Sequence, residues 1–105
     1  MAEQKWGVYF FPERDKENPA IKIGYSKHPL KRLEQLQTGS SDRIGSEGWF
    51  VVDTETEAIV WEKLLHVLFK KDRIRSNGEW FTYSDKIKQY IEDGRRKENF
   101  LRYFC

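Results

Sequence analysis

The sequence is poor in the residues that staple or metallate small folds: it has one cysteine, Cys105, and two histidines, His28 and His66. An internal disulfide is therefore impossible, and no Cys/His set remains for a structural zinc. Long apolar stretches are missing too. Runs such as Trp49 to Val52 fall far short of the ~20 residues a membrane helix needs, and no basic-then-apolar stretch opens the sequence. Neither a membrane span nor classical secretion is expected, and the cytoplasm is the natural compartment. There is no internal repeat, low-complexity tract or linker, and 105 residues fit one domain. A large charge of one sign is also lacking. Nineteen Lys and Arg against seventeen Asp and Glu leave +2, too little to argue for nucleic acid from net charge. Any such argument must come from where the charges lie.

What the chain does have is aromatic content: 15% of residues are Phe, Trp or Tyr, so a few large rings must build the core. Trp6 to Phe11 is an aromatic, β-prone run that stops at Pro12. After the charged stretch Glu13 to Pro19, Ala20 to Tyr25 alternates Ile21 and Ile23 against Lys22 and Gly24, which reads as a second strand paired with the first. Ser26 as N-cap, Pro29 at an early helical position and Leu30, Leu33 and Leu36 on one side predict a short helix over Pro29 to Gln37, stopped at Gly39. A turn-rich loop precedes a third strand, Trp49 to Val52. Thr54 and Glu57 then form a capping box, and Ile59, Val60, Leu64, Val67 and Leu68 predict the apolar stripe of a long helix reaching about Lys71. Glu79 to Tyr83 reads as a short extended piece, and Ser84 caps a last helix that turns Ile87, Tyr90 and Ile91 inward. The expected fold is α+β, a small, largely antiparallel three-stranded sheet flanked by helices. Residues 1–94 make the domain and 95–105 a basic, aromatic tail.

Four features ask for more than a structural explanation. Gly7 and Gly24 lie inside strands, where glycine weakens pairing and often marks close approach of another group. Arg32 lies beside the apolar stripe of the short helix. Glu62 and His66 stand one turn apart on the long helix, on one face, where a carboxylate and an imidazole can bind a divalent ion or pair with each other. Glu79 is set beside Trp80 and Phe81, rings that would desolvate it.

Gly7-Val8-Tyr9, Lys22-Ile23-Gly24-Tyr25-Ser26, Arg32, Glu62-x-x-x-His66-x-x-Phe69 and Gly78-Glu79-Trp80-Phe81, in this order, resemble the GIY-YIG nuclease superfamily, in particular its compact phage and bacterial branch with K-I-G-x-S and G-E-W-F signatures. The resemblance spans about Gly7 to Ile91. It implies a metal-dependent endonuclease whose active site lies on the sheet. Tyr9 takes the place of the tyrosine that activates or positions the attacking water, and Lys22 stands where a second tyrosine is usual. Arg32 matches the arginine that steadies the scissile phosphate, and Glu62 the glutamate that holds a single Mg²⁺ or Mn²⁺. Tyr25 and His66 fall within the matched segments and join the catalytic set. Glu79 is a candidate second metal ligand, and Asn77 competes with it for the place of a late polar residue.

These residue types suit phosphodiester hydrolysis. A hard divalent cation prefers oxygen ligands and keeps several waters, so one carboxylate can anchor it. A guanidinium matches two phosphate oxygens and stays charged. Charge placement supplies a candidate nucleic-acid surface: Lys27 and Lys31 around the first helix, then Lys70, Lys71, Arg73 and Arg75 after the long one. With no room for a recognition module, a DNA nuclease of this size has little intrinsic sequence specificity, or borrows it from a protein partner. The alternative is a non-catalytic nucleic-acid-binding or protein-binding module on the same fold, such as a phage accessory or inhibitor factor. The oligomeric state is left open by the sequence.

Overall fold

The computed structural model describes residues 5–74 and 78–96. Four strands, β1 (Trp6–Pro12), β2 (Ala20–Ser26), β3 (Gly48–Val52) and β4 (Trp80–Thr82), form one antiparallel sheet in the order β3-β1-β2-β4. Three helices flank it: α1 (Pro29–Thr38), α2 (Glu55–Leu68) and α3 (Asp85–Arg95). The α+β class is as expected, but the sheet has a fourth strand. Three residues are too few to show period-two alternation, and β4 exists because it pairs with the free edge of β2, Ile21 opposite Phe81 and Lys22 opposite Trp80.

β1 is central and carries most of the core. Val8 and Phe10 point to one face of the sheet, against Ala58 and Leu65 of α2, Phe69 just after it, and Ile87 and Ile91 of α3. Tyr9 and Phe11 point to the other, stacked at 4.2 Å between ring centroids and packed with Ile44, Leu33 and Leu36. The inward set of α3 is as the sequence predicts, with Ser84 Oγ accepting from Ile87 N–H.

Two helix readings need correction. Ser26 does not cap α1: the N-cap is His28, without a side-chain bond, and Ser26 Oγ instead accepts from His28 N–H in a turn that delivers Pro29 to the first helical position. In α2, Thr54 caps as expected, accepting from Glu57 N–H at 3.1 Å, but the apolar stripe lies on a different face. Ala58, Leu65 and Phe69 are buried, whereas Val60, Leu64, Val67 and Leu68 are exposed. The helix is apolar on nearly every side, so periodicity alone does not choose the buried face. It also ends at Leu68, three residues before the expected stop, and passes into a 3₁₀ turn over Lys70–Asp72. Arg75, Asn77 and the tail from Lys97 lie outside the described residues. No helix among those described is long and apolar enough to cross a membrane.

Candidate active site

The antiparallel register sets Tyr9 opposite Gly24 and Phe11 opposite Lys22. A Cβ on Gly24 would meet the Tyr9 hydroxyl at 2.5 Å and Glu79 Oε2 at 3.0 Å. The glycine is thus the space into which a tyrosine and a carboxylate converge, which is why a strand interior tolerates it. Gly7 does similar service nearer the strand start, where a Cβ would strike Pro29 Cγ at 2.7 Å.

Around this point lies a cleft of about 480 Å³ lined by Trp6, Tyr9, Tyr25, Ser26, Lys27, Arg32, Glu62 and Glu79. Five of the residues singled out in the sequence, Tyr9, Tyr25, Arg32, Glu62 and Glu79, come together here, and Lys27 of the expected phosphate-binding set joins them. Lys22 reaches the same cluster from β2. Buried to nine-tenths, it pairs with Glu79 Oε2 at 3.2 Å and lies 5.6 Å from the Trp80 ring centroid.

Glu62 reaches the cleft because it falls on the inward stripe of α2, between Ala58 and Leu65. Its Oε2 is buried with no hydrogen-bond partner among the described residues. Beside it stands the Glu79 carboxylate, near enough to hydrogen-bond only if one of the two carries a proton. Burial, then the charge of Glu79 and that shared proton, push the Glu62 carboxyl up to about 7, opposed by Lys22 and Lys63.

The Glu79 backbone is held from two sides. Its carbonyl accepts from Ile23 N–H at 3.1 Å, and the preceding carbonyl, of Gly78, accepts both Nε and Nη2 of Arg73 at 3.0 and 2.8 Å. Arg73, expected among the phosphate contacts, thus spends its fork on the loop that presents Glu79. The same Ile23 offers its carbonyl to His66 Nε2 at 3.0 Å. Since that carbonyl only accepts, Nε2 carries the hydrogen. His66 does not line the cleft and makes no bond to Glu62; it pins α2 to β2 and so fixes how Glu62 enters. One peptide position on β2 therefore sets both carboxylates.

Arg32 is half-buried rather than solvated. Its guanidinium stands beside the Tyr9 hydroxyl in the cleft and lies 3.5 Å from Gln35 Oε1. Burial pushes the Tyr9 hydroxyl up to about 12; hydrogen bonding from Arg32 opposes this, and the Glu79 and Glu62 charges add to it. Tyr9 is therefore a protonated donor at neutral pH. The Tyr25 hydroxyl is also raised, by burial and then by Glu62, Glu55 and Glu79.

Trp6 is a cleft residue that the sequence reading missed. Its ring lies 5.8 Å from that of Tyr25, with Lys27 Nζ 5.1 Å above it. The available signal was register, since Gly7 pairs with Ser26 and places Trp6 beside Lys27. Of the remaining basic candidates, Lys31, Lys70 and Lys71 are exposed, on α1 and on the turn after α2.

Among the described residues no group of three or more His, Cys, Asp or Glu forms a metal-binding cluster. The donor set is two carboxylates, one with an orphaned buried oxygen. That set fits a hard, water-rich cation such as Mg²⁺ or Mn²⁺ and not a zinc-type cage.

No curated protein and no solved structure matches the chain. One family does, over residues 7–97, from the strand carrying Tyr9 to just past α3. The chain belongs to the T5orf172 domain family, a phage-associated domain related to nuclease-type domains.

Proposed function

We propose that the chain is a divalent-metal-dependent endonuclease of GIY-YIG type that hydrolyses phosphodiester bonds in DNA with little sequence specificity of its own. The observation that carries this reading is the convergence on one cleft of a guanidinium, a protonated tyrosine and two carboxylates, one of them buried with an unsatisfied oxygen. Lys22 pairs with Glu79, which leaves the buried Glu62 oxygen as the group that a cation would satisfy.

Glu62, with Glu79 beside it, would hold Mg²⁺ or Mn²⁺. When bound, such an ion polarises a phosphoryl oxygen and lowers the pKa of a coordinated water. Arg32 is placed to bind the scissile phosphate, where its fork offsets charge that develops as the phosphorus is attacked. Burial raises the Tyr9 hydroxyl in the metal-free cleft, which favours a role as a donor there. Tyr9 orients the attacking water or a phosphate oxygen by donating to it. Lys22 neutralises one of the two carboxylates, so that both can share the cleft. Lys27 offers an ammonium to a neighbouring phosphate, and specificity beyond that belongs to a protein partner.

The test is incubation of the purified chain with supercoiled plasmid in Mg²⁺, in Mn²⁺ and in EDTA. Nicking supported by the metals and abolished by EDTA is expected. Plasmid bound but never cut under any condition would favour a non-catalytic nucleic-acid-binding module.

A further inference from the structure

A second cavity, of about 390 Å³, lies on the α1 side of the sheet, and nothing in the proposed chemistry uses it. Its volume is within the range usual for small-molecule sites, about 300–1,000 Å³. One wall is apolar, built by the Trp80 indole, Leu36, Ile44 and the half-exposed Ile74. The rim is polar and rich in acceptors, with the carboxylates of Glu13 and Asp42 and the amide of Gln35. Lys16 Nζ lies 3.3 Å from an oxygen of each carboxylate and offsets one of the two charges, so the rim stays negative. No lysine or arginine lines the cavity among the described residues.

The cavity adjoins the cleft through two pairs of neighbours. Glu79 lines the cleft and Trp80, the next residue, lines the cavity; Arg32 lines the cleft and Gln35, one turn along α1, lines the cavity. Arg32 Nη1 is 3.5 Å from Gln35 Oε1, and Lys22, which pairs with Glu79, is 5.6 Å from the centre of the Trp80 ring. A strand whose phosphate sits at Arg32 therefore has the cavity beside its neighbouring nucleotide. A second phosphate is unsuited to a negative rim. A nucleobase suits both surfaces: its faces pack on an indole, and an exocyclic amine on its edge donates to a carboxylate. In paired DNA each base faces inward and is stacked between its neighbours, so only an unpaired or extruded base can enter.

We propose that this cavity is a subsite for one unpaired, amine-bearing base of the substrate strand, next to the phosphate that Arg32 binds. The inference rests on the endonuclease reading and narrows it: the preferred substrate is DNA with a base out of the stack. It also gives a role to Trp80, the member of the Gly78-Glu79-Trp80-Phe81 motif that stands where cleft and cavity meet.

The test uses the full chain in EDTA, so that binding is read without cleavage. Fluorescence anisotropy compares three labelled duplexes of one sequence: fully paired, with a single bulged adenine, and with an abasic bulge at the same place. The bulged adenine should bind about tenfold tighter than either of the others, within the range for one stacked base. Trp80→Leu removes the ring, and Ala20→Leu fills the cavity from β2; each should bring the ratio of affinities close to one. Reading a ratio cancels a general loss of binding or of folded protein. Equal affinity for the three duplexes would overturn the proposal. So would a preference that survives in either variant, or a bulged thymine bound as tightly as the adenine. A chain that shows the preference but never nicks plasmid keeps the subsite and loses the nuclease reading; one that nicks in Mg²⁺ yet binds the three duplexes alike loses only the subsite.

Discussion

Glu62 on α2 and Glu79 just before β4 bring their carboxylates together in the cleft, and the charge of Glu79 raises the Glu62 carboxyl. The pair is what a cation, or a proton, is needed to hold. With the folded value of Glu62 at about 7, above its ordinary 4.5, the folded chain binds that proton more tightly than the unfolded one. The stability this group contributes is therefore present below pH 4.5 and lost as pH rises through 7. Glu62→Gln should match wild type near pH 4 and exceed it at pH 8 by about 1 kcal/mol, a figure reduced for the screening a half-exposed group feels. Urea unfolding in EDTA across that range checks it. A wild type that gains on the variant as pH rises would contradict the pairing.

Gly24→Ala tests the close approach directly. The added methyl has to displace the Tyr9 hydroxyl or move the strand, since its nearest neighbour would be 2.5 Å away. A loss of about 1–3 kcal/mol in stability is expected, as for overpacking in a core. Activity should fall with it even below the melting temperature, because the group displaced is Tyr9. Unchanged stability would mean that the hydroxyl is free to swing aside.

Lys22→Met keeps an aliphatic stem over Trp80 and removes the charge that pairs with Glu79. Because Lys22 holds the Glu62 carboxyl down, its loss should move the Glu62 titration midpoint upward. Carbon-detected NMR of the carboxyl across pH 5 to 9 reads that midpoint. An unmoved midpoint would place Lys22 outside the carboxylate cluster.

The clustering of Tyr9, Glu62 and Glu79 was more legible in the sequence than the faces of the helices. Gly24 inside an alternating strand signalled the approach of another group, and Tyr9 and Glu79 are the groups that approach. Glu62 beside apolar neighbours signalled an edge of the core, and there it lies. The buried face of α2 was not legible, because Val60, Leu64 and Val67 are as apolar as the Ala58, Leu65 and Phe69 that were chosen. Only packing on the sheet separates the two sets. The role of His66 was hidden for another reason: its partner is a backbone carbonyl on β2, distant in sequence, and no side-chain pattern records such a bond. Arg73 likewise reads as surface charge until the Gly78 carbonyl is seen within its fork.

Arg32→Ala separates a transition-state ligand from a member of a basic patch. Its loss should slow single-turnover cleavage by about 3–4 kcal/mol of barrier, the typical cost of one preorganised charge stabiliser. Affinity for uncleaved duplex at fixed salt should fall far less, since the arginine acts chiefly on developing charge. Lysine lacks the planar fork that matches two phosphate oxygens, so Arg32→Lys should not restore the rate. Equal, modest losses in rate and affinity would reduce Arg32 to a binding residue.

The most direct measurement compares wild type and Glu62→Gln in single-turnover cleavage of a labelled duplex in Mg²⁺, with duplex affinity measured in parallel in EDTA. Glutamine keeps the shape of the side chain but removes the anionic oxygen that a hard cation requires. Cleavage by the wild type, a loss of roughly 10²–10³-fold or more in the variant, and unchanged affinity are the expected results. Cleavage that survives in Glu62→Gln at near wild-type rate would contradict the assignment of this cleft as the metal-bearing active site.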